Sequence, residues 1–278
     1  MKKWRFAFSR RWFGYLALVL AFAIGCVFLS QWQFDRREEA ATEVARISEN
    51  WQAEPQQLES VMPDLENFDD DNKWMPVTIS GEYLASEQLL VRGRPYSGQP
   101  GFEVLVPFQL NSGRVIVVDR GWVPAGNSQD APDAVPAPPA GQIDAVVRLK
   151  PSEPTVQGRS APDGQVATIH LPTVEQMLDR PTYVGGFGLL ASESPSVADM
   201  PIAYPKPLLD EGAHLSYAFQ WVTFGVLAFI GLGWAIRQEY RLINEADPTE
   251  RKRAEKRKRK AEERGPTDAQ IEDAIIDA

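Results

Sequence analysis

The sequence WFGYLALVLAFAIGCVFL, at residues 12–29, contains no charged side chain. A second uncharged run, AFQWVTFGVLAFIGLGWAI, occupies residues 218–236. A helix that crosses a bilayer needs about 20 predominantly apolar residues, and each run is close to that length. Two transmembrane helices, one toward each end of the chain, are therefore predicted.

Basic residues lie on the terminal sides of the two apolar runs. Five Lys or Arg precede residue 12, and eight of the ten residues from 251 to 260 are Lys or Arg. Residues 30–217 instead carry 27 acidic and 13 basic side chains, a net charge of −14. The positive-inside rule predicts both termini in the cytoplasm of a bacterium and the central domain outside its plasma membrane. An acidic exterior domain also argues against a nucleic-acid partner.

Two alternatives exist for the first apolar run. A cleaved signal peptide would need an A-x-A-like site, which is absent at a suitable distance. A lipoprotein signal is suggested only loosely by residues 23–26, because apolar residues continue past Cys26 to Leu29. The length of the run favours a retained anchor, which places Cys26 in lipid. Since Cys26 is the only cysteine, an internal disulfide, a cysteine-pair metal site and C-x-x-C-H haem attachment are excluded.

The fold class predicted from these patterns is a membrane α+β protein, in which two transmembrane helices flank a mainly-β extracytoplasmic domain with helical additions. The predicted segments are a cytoplasmic N-terminus at 1–11, transmembrane helix 1 at 12–29, an acidic helical and loop segment at 30–72, a β-rich domain at 73–217, transmembrane helix 2 at 218–236 and a charged cytoplasmic tail at 237–278. From residue 239 onward the tail contains ten basic and eleven acidic residues. This balance favours a solvated tail over one that binds anionic lipid headgroups.

Short β-type runs separated by turn residues begin at Trp74. Strands are predicted at 74–84, 89–94, 102–110, 115–119, 143–149, 166–171 and 183–190. A short helix is predicted at 173–178, with Thr173 as its N-cap and Glu175 in its first turn. An acidic, largely polar helix is predicted from Glu38 to about Gln57.

Motifs that support catalysis are missing from the sequence. It has no G-x-S-x-G elbow, no G-x-x-x-x-G-K-[ST] phosphate loop and no G-x-G-x-x-G dinucleotide loop. Neither His170 nor His214 has a recognisable catalytic partner. His170 alternates with apolar residues in a predicted strand, which favours a structural role. The protein is therefore not predicted to be an enzyme.

His214 stands at the entry to the second span, in the stretch EGAHLSYAFQW at residues 211–221. Helical spacing places His214, Tyr217, Trp221 and Phe224 on one face. Polar groups are costly at a membrane and usually have a function there. Two interpretations stay open: a helix-end histidine bonded to a loop carbonyl, or a ligand of a flat cofactor at the membrane surface.

The segment after the first span has a comparable pattern. If the helix continues, Leu29, Trp32, Gln33 and Arg36 share one face. An interfacial Trp with a snorkelling Arg explains the pattern, and packing against the end of the second span is the alternative.

Five short motifs occur in order along the chain. They are WQxxR at 32–36, VRGRP at 91–95, VDRGWVP at 118–124, YVG at 183–185 and HLxYxxxW at 214–221. Together they resemble the Surfeit locus protein 1 (Shy-type) family of cytochrome c oxidase assembly factors, from residue 12 to about 241. The chain departs from the family pattern at Ser30, where Gly is common, and in lacking an Asn just before His214.

The resemblance implies that the protein helps to deliver haem a to the catalytic subunit of cytochrome c oxidase, or stabilises the haem-loaded subunit. The implied partners are that subunit, the haem a synthesis machinery and membrane lipids. His214 is then the expected ligand of the haem iron, with Trp32, Arg36, Tyr217 and Trp221 around it. Arg36 would pair with a propionate, and the aromatic rings would cover the porphyrin.

These observations leave three alternative functions open. The first is a non-enzymatic haem a carrier or insertion factor. The second is a structural scaffold for oxidase assembly that binds no haem. The third is a membrane-anchored extracytoplasmic enzyme, for which the sequence offers no catalytic constellation.

Overall fold

The computed structural model describes residues 2–127 and 130–263. The helices are α1 (Arg10–Asn50), α2 (Leu58–Val61), α3 (Leu171–Leu178), α4 (His214–Ile243) and α5 (Pro248–Glu262). The strands are β1 (Gln56–Gln57), β2 (Pro76–Tyr83), β3 (Leu89–Val91), β4 (Gly101–Leu110), β5 (Val115–Pro124), β6 (Ile143–Pro151), β7 (Gln165–Val166) and β8 (Gly186–Ser194). Short 3₁₀ helices lie at Lys2–Phe8, Asp70–Asn72 and Ala85–Glu87. The chain divides into a helical unit, from Met1–Glu39 and Gly212–Ala278, and a β unit, Ala40–Glu211.

Helix α1 is one continuous helix of 41 residues. It includes both the first predicted span and the predicted acidic helix. The helix ends at Asn50 and not near Gln57, where the acidic helix was predicted to end. Neither Gly nor Pro occurs between Gly25 and Pro55, so nothing in this stretch breaks the helix. Ion pairs at i,i+3 spacing, such as Glu43 with Arg46, support its acidic part.

Both α1 and α4 are long and apolar enough to cross a membrane. Helix α4 begins at His214, four residues before the predicted span. Most apolar side chains of the two helices face outward; Leu18 and Val27, for example, are each 68% exposed. Two long apolar helices therefore flank a β-rich domain, as predicted.

Five strands of the β unit close into a ring. The pairs β2–β6, β6–β8, β5–β8, β4–β5 and β2–β4 complete it, and only β5–β8 among them is parallel. Strands β1, β3 and β7 extend the sheet beyond the ring. The β unit is thus built around a five-stranded barrel.

Gly81 lies where the barrel closes. It pairs with Ile143 of β6 and with Leu110 of β4. A Cβ atom at this position would lie 1.9 Å from the backbone oxygen of Gln109. Only glycine allows β2 to approach β4 this closely.

Successive side chains along the strands belong alternately to two hydrophobic clusters. In β4, for example, Val104 and Val106 belong to one cluster and Leu105 to the other. Leu58 and Met62 are buried in the first cluster. The segment from 56 to 72 therefore packs with the β unit. The predicted β-rich domain begins later, at residue 73.

The prediction was wrong around His170. The strand β7 ends at Val166, and helix α3 starts at Leu171, with His170 and not Thr173 as its N-cap. Pro172 lacks an N–H group, which is tolerated in the first turn of a helix. The backbone N–H groups of Thr173 and Val174 both donate to the carbonyl of His170. The last predicted strand also differs, because β8 runs from Gly186 to Ser194.

Candidate functional site

His214 is the first residue of α4 and contacts α1 through one side chain. Its Nδ1 atom lies 2.8 Å from Oε1 of Gln33. Gln33 is 9% exposed, so this bond is shielded from solvent. An amide oxygen only accepts hydrogen bonds, so this contact is a hydrogen bond in the tautomer with the proton on Nδ1. Nε2 keeps its lone pair and can ligate a metal ion.

Two contacts between small residues hold α1 and α4 together beyond the His214–Gln33 pair. The Ser30 hydroxyl donates to the carbonyl of Ala218 at 3.1 Å, and Ala218 is fully buried. Farther along, a methyl group added at Gly225 would lie 3.7 Å from Cβ of Cys26. Small residues let two apolar helices approach closely, which sets the register that brings Gln33 to His214.

The line of α4 residues that faces α1 differs from the predicted face. It runs through His214, Ala218 and Gly225, with Trp221 half-buried beside it. Tyr217, three residues after His214, is 51% exposed. At 100° per residue the four predicted residues lie within about 80° of one another, so they share a face that borders the line of contact with α1.

The other predicted site residues lie on the outside of the helix pair. Trp32 is 55% exposed, and Arg36 forms a surface ion pair with Glu39. The Trp221 ring packs edge-on against Phe224, with centroids 5.9 Å apart.

Side-chain hydrogen bonds and ring stacking do not link His214 to the other predicted site residues in the described part of the chain. In residues 2–127 and 130–263, neither a hydrogen bond nor a ring contact links His214 to Trp32, Arg36, Tyr217 or Trp221. The structure therefore joins His214 to Gln33, which lies in the WQxxR motif and on the face predicted after the first span but was not among the predicted site residues. Packing of that face against the end of the second span was the alternative left open by the sequence, and the Gln33 contact with His214 agrees with it.

A flat ligand would find exposed aromatic surface around His214. Trp32 and Tyr217 are exposed, and Phe34 packs edge-on against Phe219 at 6.1 Å between centroids. Within the described residues, no group of three or more His, Cys, Asp or Glu could hold a metal ion. His214 would thus be a single ligand. A haem needs only one axial protein ligand and apolar cover, so these residues fit it.

His170 lies in the β unit and has a local partner. Its Nδ1 atom is 2.8 Å from Oγ1 of Thr173, within the first turn of α3. The pair borders a cleft of about 220 Å³ that also includes Arg159 and Gln165. This local bond agrees with the structural role favoured for His170.

Arg120 of the VDRGWVP motif forms a buried ion pair with Glu193 of β8 in the β unit. The side chains of Arg120 and Glu193 are both fully buried, with Nη2 and Oε1 2.8 Å apart. The Tyr83 hydroxyl donates to Oε2 of Glu193 at 2.7 Å. Burial, and then the Glu193 carboxylate, raise the pKa of Tyr83. This arrangement ties β2, β5 and β8 of the barrel to one another.

A second polar cluster joins the VRGRP motif to β4. Arg94 pairs with Glu103 at 2.8 Å and also with Glu153. The Tyr204 hydroxyl donates to Glu103 at 2.8 Å. Burial raises the pKa of Glu103, and burial followed by the charge of Glu103 raises the pKa of Asp119 well above its usual value. Each motif therefore contributes an arginine that pairs with carboxylates of the β unit: Arg120, which is buried, and Arg94, which is half-buried.

Comparison with known proteins identifies the relatives of this chain. The model of the SURF1 family matches residues 20–226. A SURF1-like protein of Mycobacterium tuberculosis, described as uncharacterized, is 32% identical over 85% of this chain and 88% of its own length. A SURF1-like protein of Rickettsia bellii is 25% identical over 77% of this chain and 86% of its own length. The cytochrome oxidase assembly protein SHY1 of Saccharomyces cerevisiae is 27% identical over 43% of this chain and 30% of its own length. The chain belongs to the SURF1 family.

Proposed function

We propose that the protein is a membrane-bound assembly factor for a haem-copper cytochrome c oxidase, and that it holds haem a transiently through His214. Membership of the SURF1 family supports an assembly role, as does the similarity to a yeast protein named for oxidase assembly. The observation that carries the haem part is the 2.8 Å contact between Nδ1 of His214 and Gln33. It leaves Nε2 as a free ligand atom at a helix end with exposed aromatic rings.

The exposed faces of α1 and α4 support a place in the membrane. Side chains such as Phe28, 72% exposed, would be unfavourable in water and are matched by lipid. Trp12 and Trp32 are separated by about 30 Å of helix, close to the thickness of a bilayer core. Aromatic residues favour the two membrane interfaces. The flanking charges then put both termini in the cytoplasm and the β unit outside the plasma membrane of a bacterium.

His214 lies at the outer surface in this orientation. Metal-ligating histidines usually donate their other ring N–H group to an oxygen acceptor, which fixes the tautomer and the orientation of the ring. Gln33 provides that acceptor. His214 would hold bound haem through Nε2, and the haem would supply the iron centre.

Arg36 would pair with a propionate group of the haem. Its partner Glu39 is on the exposed helix surface, and exposed ion pairs contribute at most about 1 kcal/mol. Exchange of Glu39 for a haem propionate would therefore cost little. Weak, one-sided binding suits a carrier that passes haem a from its synthesis machinery to the catalytic subunit of the oxidase.

Complementation of a deletion strain tests the assembly role. Cells that lack the protein should have little assembled oxidase, and the wild-type gene should restore it. Partial restoration by His214→Ala, with full restoration by His170→Ala, is the expected result, because only His214 belongs to the proposed site. Normal oxidase in the deletion strain would contradict an assembly role. Full restoration by His214→Ala would favour a scaffold that does not need the haem ligand.

A further inference from the structure

The end of the helical unit opposite His214 contains a cleft of about 740 Å³. Four arginines line it: Arg237 and Arg241 from α4, and Arg253 and Arg257 from α5. Glu250 is the one carboxylate in its lining. The cleft therefore has a strong positive charge, although the tail as a whole is nearly neutral.

Glu250 does not neutralise the cleft. It is buried and pairs with Arg253 at 2.6 Å. In the described part of the chain, Arg237, Arg241 and Arg257 have no side-chain hydrogen bond or ion pair. Three guanidinium groups thus remain available to an anion, and each can donate two parallel hydrogen bonds to phosphate oxygens.

In the membrane placement proposed above, the cleft would lie at the depth of lipid headgroups. Arg237 directly follows Ile236, the last residue of the apolar run. Trp4 stacks on Tyr240 with ring centroids 4.4 Å apart, and such aromatic residues favour the membrane interface. The arginines therefore begin where the hydrocarbon core of the bilayer would end.

The cleft also has an apolar side. Gly233 and Ile236 line it, and the space beside Gly233 is open to at least 4 Å around an added Cβ atom. A ligand with a phosphate group and hydrocarbon chains would match both sides. Inorganic phosphate would match only the arginines.

We propose that this cleft binds the headgroup of an anionic phospholipid. The proposal rests on the membrane placement proposed above. Basic pockets at the cytoplasmic ends of transmembrane helices recognise such headgroups by charge, and the bilayer holds the lipid at the same depth. The lipid would tie α5 to the end of α4 at the inner face of the membrane.

Native mass spectrometry of the full-length protein in mild detergent tests the proposal. The cleft variant combines Arg237→Gln, Arg241→Gln, Arg253→Gln and Arg257→Gln. The control variant has the same net charge but changes residues of α5 outside the cleft: Lys252→Gln, Lys256→Gln, Lys258→Gln and Lys260→Gln. Each protein is titrated with phosphatidylglycerol, with phosphatidylcholine and with inorganic phosphate.

The wild-type and control proteins should bind one phosphatidylglycerol, and the cleft variant should bind it at least tenfold more weakly. Phosphatidylcholine should not replace it, and millimolar phosphate should not displace it. Equal loss in both variants would show a general charge effect and overturn the proposal. Displacement by phosphate would also overturn it, in favour of a simple anion site.

A variant that is expected to bind the lipid more tightly excludes misfolding as the explanation for weaker binding. Glu250→Gln removes the one negative charge of the cleft, so phosphatidylglycerol should bind several-fold more tightly. Unchanged or weaker binding would contradict the proposal. The titration begins from protein in detergent, so it does not depend on haem binding. Failure of the membrane placement would show separately, as protein that stays soluble and monodisperse without detergent.

Discussion

The imidazole Nδ1 of His214 lies 2.8 Å from Oε1 of Gln33, and the two residues are 181 positions apart in the chain. This bond links the start of α4 to α1. It also favours one tautomer of the histidine, because an oxygen acceptor at Nδ1 leaves Nε2 as the ligand atom. No local sequence motif predicts this hydrogen bond, because it depends on how the two helices pack.

Gln33→Leu should weaken haem binding about 10- to 100-fold, the usual cost of losing the group that orients a metal-ligating histidine. Gln33→Glu keeps an oxygen acceptor and should restore most of the affinity. Titration of both purified variants with haem measures the effect. Full affinity in Gln33→Leu would show that Gln33 does not position His214.

Helix packing below the site gives a second prediction. Gly225→Leu should push α4 away from Cys26 and cost about 1–3 kcal/mol of stability, because the space accepts one methyl group but not a larger side chain. Gly231→Leu is the matched control, since nothing lies within 4 Å of a Cβ atom there. Thermal unfolding in detergent compares the two. Equal destabilisation would mean that the helices do not pack at Gly225.

The buried ion pair of the barrel gives a third prediction. Arg120→Met should destabilise the protein by about 3–5 kcal/mol, because it leaves the Glu193 carboxylate buried without its cation. The double variant Arg120→Met with Glu193→Gln should recover part of this loss, since no unpaired charge remains. The unfolding midpoints of the single and double variants test this prediction. A double variant as unstable as Arg120→Met would contradict this explanation.

Asp119 gives a prediction about pH. It is buried, its Oδ1 accepts from the Gly121 N–H group, and its Oδ2 has no partner in the described residues. Burial raises its pKa in the folded protein, and Glu103 raises it further against the opposing charges of Lys150 and Arg94. The folded state therefore binds this proton more tightly than the unfolded state. The contribution of Asp119 to stability is greatest below its unfolded pKa, near 3.8, and is lost as the pH rises through the folded value.

Asp119→Asn removes this titration and keeps an acceptor for Gly121. The variant should match the wild type near pH 4 and be more stable than it at pH 8. Thermal unfolding of the full-length protein across this range measures the difference. A variant less stable than the wild type at pH 8 would show that the ionised carboxylate stabilises the fold.

The sequence was sufficient to locate the apolar helices and most strands, because hydrophobic runs and alternation are local properties. It could not show that the barrel closes, since closure depends on the contact of Gly81 with β4, between segments that are distant in the chain. His170 was misplaced because a proline at the second position of a helix resembles a break between elements. His214 was selected from its position at the entry to a span. Its partner Gln33 was placed on the correct face of the first helix, but periodicity within one helix could not show that this residue meets His214.

The haem a content of the purified full-length protein, measured by its absorption spectrum after expression in cells that make haem a, tests the central claim most directly. The wild type and His170→Ala should retain haem a, and His214→Ala should lose it. Haem a retained at the wild-type level by His214→Ala would contradict the account.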